Sequence, residues 1–168
     1  MSTVVARVTH PERLAEADRA LIDALYPSLR RYAAVVGSSD IEPDDLVQEA
    51  FYRVLRRGGL TDLANPGAYM RRTIVNIASN ERRRLGGLRR ILPRLAEEVT
   101  VDDADPFDVE EVFNLRPRDR AVLYLSAVEG YSYAEVGEAV GVTEAAARQI
   151  ASRARRKLRR LFGEEGAH

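Results

Sequence analysis

Arg148, Arg153, Arg155, Arg156, Lys157, Arg159 and Arg160 follow one another with no acidic residue between Glu144 and Glu164. Such a run attracts a phosphate backbone. At its head Arg148 and Gln149 are adjacent, and Arg reads guanine while Gln reads adenine through paired hydrogen bonds to base edges. Thr143, Glu144 and Ser152 complete a set of polar residues able to face bases. A second cationic set, Arg71, Arg72, Arg82, Arg83 and Arg84, is interleaved with Asn76, Ser79 and Asn80 and lies near Tyr69. That mixture suits backbone contacts combined with base-edge or stacking contacts. A third set has the opposite sign: Asp44, Asp45, Gln48 and Glu49. Three readings fit it: dipole matching at a helix start, at about 0.3 to 1 kcal/mol per group, a magnesium-type site, or a docking face for a basic partner.

These residues need helices to position them. Ala134, Val136, Ala139 and Val140 form the small, apolar face of a helix over about 133 to 140, which Gly141 stops where the backbone must turn sharply. Thr143 then caps a longer helix whose Ala147, Ile150, Ala151, Ala154, Leu158 and Leu161 recur at three- and four-residue spacing, leaving the cationic face outside. Helix, glycine turn and longer helix match the helix-turn-helix, whose second helix enters the major groove N-terminus first. An ordinary helical hairpin with a solvated basic face shares the pattern.

Earlier in the chain, Leu21, Ile22, Leu25, Leu29, Tyr32, Ala33 and Val36 keep helical spacing from Asp18 up to Gly37, with Pro27 expected to kink or interrupt the helix. Pro43 suits a first helical position, and Leu46, Val47, Ala50, Phe51, Val54 and Leu55 give the next helix its core stripe, ended by Gly58 and Gly59. Asn65 and Pro66 read as cap and first residue of a third helix, with Met70, Ile74, Ile77 and Ala78 inside, reaching at least Arg84 before Gly86 and Gly87 loosen the chain. Arg116 to Asp119 introduce a further helix with Ala121, Val122, Leu125 and Val128 inside, closed by Gly130.

Composition narrows the chemistry. The 168 residues contain no cysteine, which excludes disulfides and thiolate metal sites, and the two histidines, His10 and His168, leave little for a metal centre or a histidine-based catalytic apparatus. No metal, cofactor or catalytic residue is expected. No apolar run reaches membrane-spanning length and the N-terminus lacks a signal-peptide core, which predicts a cytoplasmic protein without membrane insertion. The net charge of zero hides sorting: residues 1–94 hold 16 basic and 11 acidic groups, 95–115 none and 8, and 116–168 hold 10 and 7. Two basic modules therefore flank an acidic strip, of which 97–111 reads as a linker.

Three stretches in order, DDLVQEAFYRVLRR, NPGAYMRRTIVNIASNERRR and LRPRDRAVLYLSAVEGYSYAEVGEAVGVTEAAARQIASRARRKLRR, resemble the sigma-70 class of bacterial transcription factors in its smallest form, the extracytoplasmic-function sigma factors. The resemblance implies an all-α fold of two small helical domains joined by a flexible acidic linker. Their bounds would be 12–94 for sigma region 2, 95–112 for the linker and 113–163 for sigma region 4. It implies a non-enzymatic RNA polymerase sigma factor that binds core polymerase through the beta-prime coiled coil and the beta flap and directs promoter-specific initiation, under control of an anti-sigma factor. Asp44, Asp45, Gln48 and Glu49 would grip the coiled coil. Tyr69, Arg72, Asn76, Asn80, Arg83 and Arg84 would face the minus-ten element. Thr143, Glu144, Arg148, Gln149, Ser152, Arg155, Arg156 and Arg159 would face the minus-thirty-five element. The family usually has Trp at Tyr69, commonly Ala at Gly137, and often an acidic residue near Arg82 or Arg83.

Two other functions share parts of the pattern. A helix-turn-helix regulator with an N-terminal sensing or dimerisation domain would account for the C-terminal motif but not for the Asn and Arg helix after Asn65. A helical metal-dependent enzyme using Asp44, Asp45 and Glu49 would need a second carboxylate set. The charge sorting further predicts that the acidic strip is drawn to the basic modules, over separations comparable with a Debye length of about 8 Å, and masks them.

Overall fold

Prolines open three of the helices, at a position where the missing N–H has no intrahelical partner to lose and the ring presets φ. In the computed structural model, which describes residues 16–91 and 115–163, α1 is Glu16–Val36, α2 Pro43–Leu55 and α3 Pro66–Ile91. Then come α4, Pro117–Leu123, α5, Tyr133–Val140, and α6, Glu144–Gly163. A 3-10 turn, Leu60–Asp62, lies between α2 and α3, and a π turn, Tyr124–Val128, prolongs α4. The described residues are helical and contain no strand, as the all-α expectation has it. The acidic linker lies outside them, and with it the masking expectation.

Two expected interruptions do not occur. α1 runs on through Pro27, whose ring is on the exposed face. α3 continues through Gly86 and Gly87 to Ile91, since a helical glycine costs about 1 kcal/mol without forbidding the conformation.

α1, α2 and α3 share one apolar interior. Leu29, Tyr32 and Val36 of α1, Val47, Ala50 and Phe51 of α2, and Met70 and Ile74 of α3 are sealed from solvent. Asp18, at the start of α1, is buried because its carboxylate accepts from the backbone N–H of Thr61 at 3.0 Å, tying the helix to the 3-10 turn.

α3 buries a second stripe, which takes in Arg71 from the side expected to be polar. Arg71 and Val75, one turn apart, are both buried, and Arg71 lies 5.4 Å from the Tyr131 ring centre. The C-terminal helices cover this stripe: α5 packs on α3 and α4 on α1. Val136, Ala139, Val140, Ala147 and Ala151 join the same hydrophobic cluster as Tyr32 and Phe51. The two helical units therefore meet through a continuous core.

Two small corrections follow from local geometry. Ala134 is exposed and Gly137 takes its place inside. Val128 is 71% exposed, because the backbone from Tyr124 widens to π geometry, with Glu129 N–H donating to Tyr124 O at 3.1 Å and Tyr131 N–H to Leu125 O at 2.9 Å. A wider turn no longer stacks Val128 over Leu125.

Candidate nucleic-acid interface

The turn between α5 and α6 is built by its local chemistry. Ser132 and Glu135 form a capping box at the start of α5: Ser132 N–H donates to the Glu135 carboxylate at 2.8 Å, and Glu135 N–H to the Ser132 hydroxyl at 3.3 Å. The Ser132 backbone and hydroxyl hold the Glu135 carboxyl below the usual carboxylate range. α5 ends at Gly141, whose φ of 77° favours glycine. The carbonyl of Gly137 accepts from the N–H groups of both Gly141 (2.8 Å) and Val142 (2.9 Å). A Cβ on Gly137 would meet Val142 O at 2.6 Å, so this turn has no room for the alanine that the family commonly carries. Thr143 then caps α6, its hydroxyl accepting from Ala146 N–H at 3.1 Å.

On α6, Ala147, Ala151 and Ala154 face inward, and every predicted groove residue, Thr143, Glu144, Arg148, Gln149, Ser152, Arg155, Arg156 and Arg159, is exposed. The head of the helix is pre-ordered. Arg148 pairs with Glu144 at 2.7 Å and lies 5.4 Å from the centre of the Tyr133 ring, and Arg155 donates to the Tyr133 hydroxyl at 2.9 Å. Tyr133, the first residue of α5, thus fixes two arginines of α6; no spacing rule in the sequence points to it.

α3 presents its candidates as one stripe. Tyr69, Arg72, Asn76, Asn80 and Arg83 recur at intervals of three and four, and all are exposed, with Arg84 beside them. Asn65 caps the helix by accepting from Ala68 N–H at 3.0 Å. Arg72 lies at the edge facing the second unit, where a Cβ added to Gly141 would be 2.8 Å from its Nε. The stripe on α3 and the turn that leads into α6 are therefore in contact.

The acidic candidates occupy the first turn and a half of α2, and their environments differ. Asp44 accepts from the Tyr26 hydroxyl in a short hydrogen bond and from Arg30 Nε at 3.0 Å. The Tyr26 hydroxyl holds the Asp44 carboxyl below its ordinary value, and burial together with the Asp44 bond pushes the Tyr26 phenol up to about 12. Asp44 is thereby a tie between α1 and α2. Glu49 pairs with Arg53 at 2.6 Å. Asp45 is exposed and in no ion pair among the described residues, and Gln48 is half-buried.

No local sequence signal marks Arg120. It is buried on α4, and its guanidinium donates to the carbonyls of Val35 (2.8 Å), Val36 (2.6 Å), Gly37 (3.0 Å) and Leu115 (2.6 Å). A cation at the C-terminus of α1 meets the negative end of the helix dipole as well as its orphan carbonyls. Desolvation and the neighbouring Arg82 lower its pKa to about 10. An Arg two residues after Arg118 reads in sequence as one more surface charge.

Comparison with known proteins gives the same order of parts. Residues 21–87 match the family described as Sigma-70 region 2, and residues 113–160 match Sigma-70, region 4. The chain is 31% identical over 150 residues to RNA polymerase sigma factor CarQ of Myxococcus xanthus, covering 82% of this chain and 84% of that protein. It is 29% identical over 147 residues to ECF RNA polymerase sigma factor SigE of Mycolicibacterium smegmatis, covering 77% of this chain and 55% of the relative. The fold is similar to that of sigma factor RpoE in its complex with the anti-sigma factor NepR from Bartonella quintana. There the TM-score is 0.66 at 18% identity, over 89% of this chain and 98% of that one.

Proposed function

The chain belongs to the sigma-70 family, among relatives of the extracytoplasmic-function sigma factors, and on that premise we propose how its helices divide the work. The protein is an RNA polymerase sigma factor, which binds core polymerase and directs promoter-specific transcription initiation. The exposed stripe of α3, from Tyr69 to Arg84, reads the minus-ten element, with Asn76 and Asn80 at base edges and the arginines on phosphates. The outer face of α6 reads the minus-thirty-five element, with Arg148 and Gln149 at bases and Arg155, Arg156 and Arg159 on phosphates. Asp45 and Glu49 at the start of α2 meet a basic surface of polymerase. An anti-sigma factor is a further expected partner.

The observation that carries this reading is the placement of both sets on outward stripes of α3 and α6 whose opposite faces are buried. It also bears on conformation. Elements centred about 25 base pairs apart are separated by about 85 Å of duplex at about 3.4 Å per step, whereas here Gly141 touches Arg72. The packed arrangement is thus a resting form, and the units separate when both elements are read. Run-off transcription with core polymerase on a promoter library tests the assignment: Asn76→Ala with Asn80→Ala is to alter selection at the minus-ten position, and Arg148→Ala at the minus-thirty-five position. A regulator that binds DNA without polymerase would give no run-off product.

A further inference from the structure

Arg82, Arg83, Arg116, Arg118 and Arg153 converge from α3, the start of α4 and α6 on one cleft of about 590 Å³. Asp119 is the sole carboxylate among its described lining residues, and Pro117 with Ile150 forms an apolar wall. Arg82 donates to Leu115 O at 2.8 Å, but Arg83, Arg116, Arg118 and Arg153 are exposed and enter no ion pair among the described residues. Like charges gathered from three helices repel one another, a cost to the fold that a bound anion would relieve. Promoter reading accounts for Arg83, on the outward stripe of α3, but not for Arg116 and Arg118, which lie on neither stripe.

We propose that this cleft binds a compact polyphosphate anion, its phosphates on the guanidinium forks and any less polar part against Pro117 and Ile150. Guanidinium matches phosphate in planar, bidentate geometry, and the volume falls in the range of about 300 to 1,000 Å³ usual for small-molecule sites. The volume suits a small anion held whole, which favours such an occupant over a duplex. Its arginines come from both helical units, so an occupant bridges them and favours the packed arrangement through its differential affinity. Binding itself does not depend on the transcriptional reading; only the consequence, that the ligand opposes promoter engagement, rests on it.

Calorimetric titration of the full chain with inorganic triphosphate, and separately with GTP and ATP, tests the site at about 0.15 M ionic strength. Saturable binding is expected, weakened at least about tenfold by Arg116→Ser with Arg118→Ser and unchanged by Arg160→Ser, an exposed α6 position outside the cleft. Triphosphate is also expected to raise the melting temperature of the original chain and not that of the double variant. Equal affinity for triphosphate and nucleotides would assign recognition to the phosphates alone; tighter nucleotide binding would add the apolar wall. Absence of saturable heat, or equal weakening by Arg160→Ser, would overturn the proposal. So would saturable binding of a short single-stranded oligonucleotide or an acidic peptide but not of triphosphate. Loss of run-off transcription with retained triphosphate binding would indict the sigma assignment and leave the cleft standing.

Discussion

The guanidinium of Arg120 on α4 donates to the carbonyl oxygen of Val36, the last residue of α1, at 2.6 Å, across 84 positions of sequence. With its further bonds to Val35 and Gly37, this side chain fastens the C-terminal unit to the N-terminal one. Arg120→Met keeps much of the volume and removes every donor, leaving buried carbonyls unpaired at about 1 to 3 kcal/mol each where water does not reach them. A loss of about 2 to 4 kcal/mol is expected in denaturant unfolding, together with a larger radius of gyration in solution scattering. An unchanged radius and stability would mean that the latch contributes nothing to closure.

Charge reversal at Asp45 and Glu49 separates docking from folding. Both are on the outer side of α2, and the Glu49–Arg53 pair is a surface i,i+4 contact worth about 0.3 to 0.5 kcal/mol. Asp45→Arg with Glu49→Arg is therefore expected to leave helical circular dichroism intact while lowering affinity for core polymerase in a competition assay by tenfold or more, as like charges meet across an interface. Retained affinity would remove the docking role.

Asp44 behaves differently because Tyr26 and Arg30 hold it. Its folded pKa is depressed, so the contribution is present above the unfolded value near 4 and fades as pH falls through the lower, folded one. Asp44→Asn is expected to reduce stability at neutral pH and to flatten the decline in melting temperature on acidification below about pH 4. A parallel decline in both proteins would show that the tie has no energetic weight.

Arg148 and Arg159 sit on one helix with different surroundings. Arg148 is oriented by Glu144 and the Tyr133 ring, as a base-reading side chain should be, so Arg148→Ala is expected to cost about 1 to 3 kcal/mol and relax preference at one promoter position. Arg159→Ala should weaken all sequences alike and lower the salt dependence by about one phosphate contact. The opposite pattern in salt-titrated binding to promoter variants would place the helix differently in the groove.

Gly137→Ala would bring a methyl group to within 2.6 Å of Val142 O, where backbone must yield. A destabilisation of about 1 to 3 kcal/mol is expected, with weaker minus-thirty-five binding, since the affected turn sets the angle of α6. A melting temperature unchanged by the substitution would show that the turn relaxes freely.

The sequence by itself determined the parts whose signal is local. Pro43, Pro66 and Pro117 open helices, Gly141 ends α5 and Thr143 caps α6 as periodicity and capping chemistry require, and the outward stripes of α3 and α6 follow from apolar residues at three- and four-residue spacing. Only the tertiary structure decided which of several similar charges became internal. Asp44 is held by Tyr26 while Asp45 stays open, Arg71 is buried beside exposed Arg72, and Arg120 reaches α1 while Arg118 faces a cleft. Neighbouring residues of one type carry the same local signal. Their difference arises from a partner 18 to 85 positions away, which packing alone supplies, because a buried cation persists only where distant carbonyls or a ring have been brought to meet it.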